Sequence, residues 1–171
     1  LSVLRVAVPA DALALSRLAE RTFCEAFAAA NRPEDMELHC RNSYAEAIQA
    51  REIADPSMHT LLAARDDALV GFAQLRWGSA PACVGGKAPG EIQRIYVAGD
   101  WQGKGIAQSL MAACLEALEA RGSDVAWLGV WERNPRAIAF YRKIGFVECG
   151  AHVFPLGNDP QRDLLMARAL A

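Results

Sequence analysis

The stretch Glu91-Ile92-Gln93-Arg94-Ile95-Tyr96-Val97, followed closely by Trp101-Gln102-Gly103-Lys104-Gly105-Ile106-Ala107, decides how the rest of the chain is read. The first segment reads as a strand, and the second as a glycine turn into a helix predicted over Gly103–Arg121. That helix presents Ile106, Leu110, Met111, Cys114, Leu115 and Leu118 on one face, and Gly122 supplies its stop. A junction of this kind leaves the first helical N–H groups unpaired and pointing outward. The helix dipole adds positive potential there, and glycines let a ligand approach the backbone. Together these features suit a phosphate or pyrophosphate. The plainer alternative is that Gly103 and Gly105 only permit a tight turn.

Two phosphate-loop templates fail on residue identity. A nucleotide P-loop needs four residues between its glycine and Gly-Lys, followed by Ser or Thr; here Gly99 and Gly103 enclose three residues and Gly105 follows Lys104. A dinucleotide fingerprint needs a third glycine where Gln108 stands.

Outward from the junction, Val125–Trp131 is apolar enough for a strand buried on both faces. Asn134-Pro135 opens a helix that ends at Gly145, with strands expected near Phe146–Phe154 and Asp163–Leu170. Towards the amino terminus, Arg5–Val8 reads as a strand. A helix from Pro9 to about Ala29 follows, striped by Leu13, Leu18, Phe23 and Phe27, and residues 33–54 form one or two short helices. Asp66-Asp67 is a turn between strands Thr60–Ala64 and Leu69–Trp77, and Gly78–Gly90 is a loop. The order β-α-α-β-β-β-α-β-α-β-β specifies one α/β domain, a mixed sheet with helices on both faces.

The turn Gln102-Gly103-Lys104-Gly105-Ile106-Ala107 matches Gln/Arg-x-x-Gly-x-Gly/Ala, and Arg94-Ile95-Tyr96-Val97 precedes it. Trp127-Leu128-Gly129-Val130-Trp131-Glu132-Arg133-Asn134 and Ala139-Phe140-Tyr141-Arg142-Lys143-Ile144-Gly145-Phe146 follow in order. In this the chain resembles the Gcn5-related N-acetyltransferase (GNAT) superfamily. Thr22-Phe23-Cys24-Glu25-Ala26-Phe27, Pro33-Glu34-Asp35-Met36 and Leu156-Gly157-Asn158-Asp159-Pro160-Gln161-Arg162-Asp163 extend the resemblance to bacterial spermidine/spermine N-acetyltransferases of the PaiA type.

The resemblance implies acetyl-CoA as cosubstrate and no metal. Residues 1–90 then form the acceptor side, and residues 91–171 the acetyl-CoA half with the C-terminal strands. The backbone of Ile95, Tyr96 and Val97 would meet the pantetheine arm, with the Val97 N–H as oxyanion donor. Gln102, Gly103, Lys104, Gly105, Ile106 and Ala107 would hold the pyrophosphate. Asn134, two helical turns before Tyr141, would hydrogen-bond the arm, and Lys104 and Lys143 would be phosphate partners. Tyr141 matches the family's general acid for the thiolate, and a phenol stays protonated at neutral pH. Glu91 stands where relatives place a carboxylate base, with Glu132 as competitor. The structural alternatives are aromatic packing for Tyr141, a helix cap for Asn134 and a solvated face for the charged residues.

The expected reaction is direct acetyl transfer to a primary amine, with a small cationic amine such as spermidine or spermine as acceptor. Carboxylates along a groove would recognise separated ammonium groups, and Glu25, Glu34, Asp35 and Glu37 lie in the region that borders the acceptor. A peptide or protein amino terminus, or a non-catalytic acetyl-CoA-binding module, is the alternative.

Composition sets the remaining bounds. The 171 residues suit one domain, and 53% hydrophobic with 22% charged residues describes a globular chain. Eighteen basic against twenty acidic side chains, net −2, argue against a nucleic-acid partner. No apolar run approaches the ~18–20 residues of a membrane helix, and Arg5, Pro9 and Asp11 interrupt any secretory core at the amino terminus. The five cysteines are odd in number and never spaced C-x-x-C. That opposes a zinc site or disulfide framework and suits a reducing cytoplasm. His39, His59 and His152 show no metal-ligand spacing. Members of the superfamily are often homodimers, but no surface pattern in the sequence decides that here. The chain begins at Leu rather than Met, as a trimmed chain would.

Overall fold

The computed structural model describes residues 2–171. Its centre is a seven-stranded sheet in the order β1-β2-β3-β4-β5-β7-β6. The strands are β1 (Val3–Val6), β2 (Met58–Arg65), β3 (Ala68–Trp77), β4 (Pro89–Val97), β5 (Val125–Trp131), β6 (Val147–Leu156) and β7 (Asp159–Ala169). All neighbours are antiparallel except β4 and β5. The helices are α1 (Ala12–Phe27), α2 (Pro33–Tyr44), α3 (Glu46–Ala54), α4 (Ile106–Ala120) and α5 (Pro135–Lys143).

Alternation along the strands feeds two cores. On one face Ile106, Leu110, Met111, Cys114 and Leu118 of α4 and Ile138 of α5 pack on Ala73, Leu75, Ile92, Leu128 and Met166. On the other, Leu15, Leu18, Phe23 and Phe27 of α1, with Met36, Cys40 and Tyr44 of α2, pack on Leu62 and Phe72. The fold is the expected α/β domain with helices on both faces of a mixed sheet. The segment 33–54 supplies two helices, so three helices separate β1 from β2. Within the described residues no helix is long and apolar enough to cross a membrane.

Several boundaries differ from the sequence reading for local reasons. The first strand lies at Val3–Val6, because Pro9 opens a 3₁₀ turn that the Asp11 carboxylate ties back to the Val8 N–H at 2.8 Å. Leu15, fully buried, replaces Leu13, which is 42% exposed, in the α1 stripe; Leu15 is three residues before Leu18 and shares its face. Helix α4 begins at Ile106 because Gly103 and Gly105 have φ of 74° and 83°, left-handed values that no right-handed helix contains. Asp66 and Asp67 also have positive φ, as the tight hairpin between β2 and β3 requires. β5 is not buried throughout: Gly129 is exposed on the face that carries Trp127 and Trp131.

Two of the outer motifs meet across the fold. The buried Asp35, at the start of α2, accepts a hydrogen bond from the Asn158 N–H at 2.9 Å, holding the β6–β7 hairpin against that helix.

Candidate active site

β4 and β5 are joined at three register pairs only, Pro89–Val125, Gly90–Ala126 and Glu91–Trp127. Both strands continue, to Val97 and Trp131, without further pairing to each other. β3 and β7 occupy their outer edges, so the polar backbone groups on the parted inner edges are left to solvent or a ligand. The gap opens into a cleft of about 1060 Å³ that runs to both sides of the sheet.

One end of the cleft is made by the glycine turn. Gln102, Gly103, Gly105, Ile106 and Ala107 line it together with Ile95, Tyr96 and Val97. A Cβ at Gly103 or Gly105 would meet nothing within 4 Å, so these glycines serve the backbone turn rather than tight packing. Gly105 is the N-cap of α4, and no side chain among the described residues caps the helix. Its leading amides therefore face the cleft with the helix dipole behind them. Gln102 braces the turn: its Nε2 donates to the Val97 carbonyl at 3.2 Å, and its Oε1 accepts from Arg136 Nη1 at 3.1 Å.

Arg136 is the cation that lines the cleft at this end. The sequence reading assigned that task to two lysines. The structure lays Lys104 Nζ over the Trp101 ring at 4.7 Å and puts Lys143 in the last turn of α5, outside the residues that line the cleft. The sequence offered for Arg136 only its position one residue beyond Pro135, in the first turn of the expected helix.

Asn134 and Tyr141 both reach the cleft from α5. Asn134 is also the helix cap, its Oδ1 accepting from the Ala137 N–H at 3.2 Å. Cap and cleft positions coincide because the helix starts where β5 ends. The Tyr141 ring lies 5.6 Å from Phe140 and 6.0 Å from Phe146, and burial raises its pKa above that of an ordinary phenol. Tyr96 is likewise pushed up to about 12, mainly by burial. Both phenols keep their protons at neutral pH. Gln93, beside a bulge in β4, carries a buried Oε1 with no hydrogen-bond partner among the described residues, and it too lines the cleft. An orphan acceptor there asks for a donor from a ligand.

The opposite wall is aromatic and charged. Phe27 meets Trp131 at 5.8 Å, and His39 stacks on Phe23 at 4.3 Å and approaches Phe154 at 5.5 Å. Burial, with help from Arg94, pushes His39 down to about 4, so it offers a neutral ring. Arg94 Nη1 is held by Glu52 at 2.8 Å and by Gln74 Oε1 at 2.6 Å, and Gln74 in turn donates to Gln49.

Two carboxylates reach this wall from the sheet. Glu91 pairs with Arg76 at 2.9 Å; burial still raises its pKa, because it outweighs the lowering by Arg76. Asp163, first in the apolar run of β7, accepts no hydrogen bond among the described residues and has His152 Nε2 at 3.9 Å. Burial raises Asp163 to about 6, moderated by His152. A side chain at Gly129 would come within 3.3 Å of both Asp163 Oδ2 and His152 Nε2, so the glycine leaves their approach open. Asp163 was missed in the sequence; its one signal was an acid heading the apolar run Leu164-Leu165-Met166.

The four acids expected to line an acceptor groove are not brought together. Glu25 lines the cleft but accepts from the Gly99 N–H at 2.6 Å and pairs with Arg21. Glu34 and Glu37 are exposed beside Arg32 and Arg41, and Asp35 serves the hairpin. Glu132 pairs with Arg162 at 2.9 Å.

The acetyltransferase (GNAT) family pattern matches residues 19–146, which include the parted strands, the glycine turn and α5. The chain belongs to this family. A similar protein, an uncharacterised N-acetyltransferase of Lactobacillus delbrueckii subsp. lactis, is 33% identical over 92% of this chain and 90% of its own length. An uncharacterised N-acetyltransferase of Mycobacterium tuberculosis is 32% identical over 94% of this chain and 98% of its own. In fold, the chain is similar to the PaiA N-acetyltransferase of Thermoplasma acidophilum in complex with coenzyme A, with TM-score 0.79, 21% identity and 99% of each chain covered. It is also similar to the ribosomal-protein-S18-alanine N-acetyltransferase of Escherichia coli, with TM-score 0.72, 18% identity and coverage of 100% and 95%. At these identities the structural likeness is one of fold, and the acceptor does not follow from it. The GNAT chain is an acetyltransferase.

Proposed function

We propose that this GNAT enzyme transfers acetyl from acetyl-CoA directly to a small primary amine. The observation that carries this reading is the parting of β4 from β5 beside the uncapped start of α4. Unpaired strand edges suit an extended amide chain, and uncapped helical amides suit a diphosphate. The orphaned Gln93 acceptor and the Arg136 guanidinium add a partner for each. These residues fit acetyl-CoA, and a fold neighbour holding coenzyme A supports the assignment. Ile95, Tyr96 and Val97 would hold the arm, and Gln102 through Ala107 with Arg136 the phosphates. Asn134 would orient the arm from the cap of α5.

Acetyl-CoA supplies the activated carbonyl. The chain must then take a proton from the ammonium, steady the oxyanion and return a proton to sulfur. Tyr141 is the acid, since its buried phenol stays protonated wherever the enzyme works. The Val97 N–H is assigned to the oxyanion. Glu91 and Asp163 both stand on the acceptor wall as bases. Glu91 Oε2 is engaged by the Arg76 guanidinium at 2.9 Å, whereas Asp163 accepts no hydrogen bond among the described residues and has His152 at 3.9 Å, so Asp163 is the better proton acceptor and Glu91 the alternative. The ammonium gives one proton to the base before its nitrogen attacks. As the C–N bond forms and the C–S bond breaks, Tyr141 protonates the leaving sulfur, and the second nitrogen proton restores the phenol through solvent, so the net products are amide, free thiol and one proton.

Spermidine and spermine are the first acceptors to test, on the PaiA-like fold. A peptide amino terminus is the second reading, favoured by one observation: a single cleft carboxylate without a hydrogen bond among the described residues, Asp163, amid aromatic rings matches one ammonium beside an apolar body. Thiol release from acetyl-CoA, measured with spermidine, spermine, a peptide with a free amino terminus and no amine, separates them. Polyamine-dependent release supports the first reading, and release with the peptide alone replaces it with the second. No amine-dependent release, with acetyl-CoA bound, would overturn direct transfer to these acceptors.

A further inference from the structure

We propose that Cys83 and Cys149 are a thiol pair that closes to a reversible disulfide, joining the β3–β4 connection to the edge strand β6. This rests on a different part of the molecule from the acetyl-transfer reading and stands whichever amine is the acceptor. The two cysteines are far apart in sequence, so their spacing gave no hint of a pair, yet folding puts their sulfurs 3.2 Å apart. Both are free thiols in this structure. Bond formation needs the sulfurs to close by roughly 1.2 Å, to the ~2.05 Å of a disulfide.

Three features aim the sulfurs at each other. Cys83 sits in the 3₁₀ turn Ala82–Val84, which is anchored by Val84 buried against Trp127 and Leu165. Cys149 is the unpaired residue of a bulge in β6, between the register pairs of Glu148 and Gly150. A bulge redirects a side chain from the regular alternation. At Gly150 a Cβ would stand 2.9 Å from Cys83 Sγ, so the glycine provides the space that the approaching sulfur occupies.

The pair is also asymmetric. Cys83 is exposed and Cys149 half-buried, and burial together with the neighbouring sulfur pushes Cys149 up to about 11. Cys83 is thus the thiol that a reagent reaches first, with Cys149 as the resolving thiol. The co-reactant is a low-molecular-weight disulfide. Cys83 thiolate attacks one of its sulfurs and expels a thiolate, forming a mixed disulfide. Cys149 thiolate then attacks Cys83 Sγ and expels the second. Two protein thiols lose two electrons and two protons, and the small disulfide is reduced to two thiols.

The bridge has a structural consequence for the cleft. The β3–β4 connection belongs to the β1–β4 side of the sheet and β6 to the β5–β7–β6 side. The bond therefore crosses at the closed end of the opening, near the Glu91–Trp127 pair.

The test incubates the whole protein with reduced and oxidised glutathione at varied ratio, quenches by alkylation, and maps tryptic peptides by mass spectrometry. The expected product links residues 77–87 to residues 144–162, and its yield rises with the proportion of oxidised glutathione. Oxidised protein should melt roughly 5–10 °C above reduced protein, a gain absent from Cys83→Ser. Cys149→Ser should instead accumulate glutathione on Cys83. Glutathione retained on Cys83 of the unsubstituted protein, with no linked peptide, would overturn the proposal. Two unmodified thiols in fully oxidised buffer would overturn it as well.

Discussion

The two sides of the cleft are built by different means. On the proposed acetyl-CoA side the cleft-facing groups are largely main chain: the free edges of β4 and β5 and the first amides of α4. On the proposed acceptor side they are side chains, delivered by α1, α2, β4, β6 and β7 from positions as distant as Phe27, His39, Glu91, His152 and Asp163. A main-chain site demands a particular local backbone, and a particular backbone demands particular residues at fixed spacing. A side-chain site demands only that topology bring the right groups together.

The contrast is sharpest for chemistry. Tyr141→Phe should lower kcat by roughly 10²–10⁴-fold with acetyl-CoA affinity nearly unchanged, since it removes one proton and little binding surface. Stopped-time assays alongside calorimetric titration of acetyl-CoA check this; unchanged turnover would remove Tyr141 from the acid role.

On the acceptor side, Asp163→Asn should cost roughly 10²-fold and abolish an acidic limb in kcat/KM near pH 6. Glu91→Gln should cost less and keep that limb. The reverse result would hand the base role to Glu91. The same aspartate makes a stability prediction. Its folded pKa, about 6, lies above the ordinary aspartate value, so the native state binds its proton more tightly than the unfolded chain does. That contribution is fully present below about pH 4 and is lost as pH rises through about 6. At pH 8 the buried charge is a liability, and Asp163→Asn should be more stable than the parent by about 1–2 kcal/mol, with the difference vanishing at acid pH. Urea titrations across pH measure it.

Gly105→Val tests the main-chain side. A β-branched residue at φ 83° costs about 1–2 kcal/mol of strain and disturbs the first amides of α4. KM for acetyl-CoA should rise about tenfold while KM for the amine hardly moves. Equal effects on both would blur the division between the two sides. Arg136→Ala should raise KM for acetyl-CoA only about threefold, and less in high salt, because the guanidinium is exposed to screening.

Legibility in the sequence follows the same division. Gln102-Gly103-Lys104-Gly105 and Asn134-Pro135 announce a turn and a cap because only some residues tolerate those dihedrals, and the structure has both where they were expected. The core stripe of α4 was likewise readable, from Ile106 to Leu118. Arg136 and Asp163 were not, since neither obeys a local conformational rule. Asp163 becomes notable only once β7 lies beside β5 and His152 arrives from β6. Lys104 had the right place in the sequence, but its flexible stem folds onto Trp101 instead. The acids of α1 and α2 were counted as a groove, whereas each already has a partner within the fold.

The three register pairs that hold β4 to β5 have a mechanical meaning as well. They make the sheet two stiff plates joined by a short weld, with the helices as the remaining fasteners. A cosubstrate seated between the plates would act as mortar, binding the open seam along its length. Amide hydrogen exchange along Ile92–Val97 and Leu128–Trp131 should therefore slow on acetyl-CoA addition, while the weld amides of Gly90, Glu91 and Val125–Trp127 are already slow without it. A Cys83–Cys149 bond would be a rivet at the closed end, and its effect would be to stiffen the weld while leaving the seam free to open.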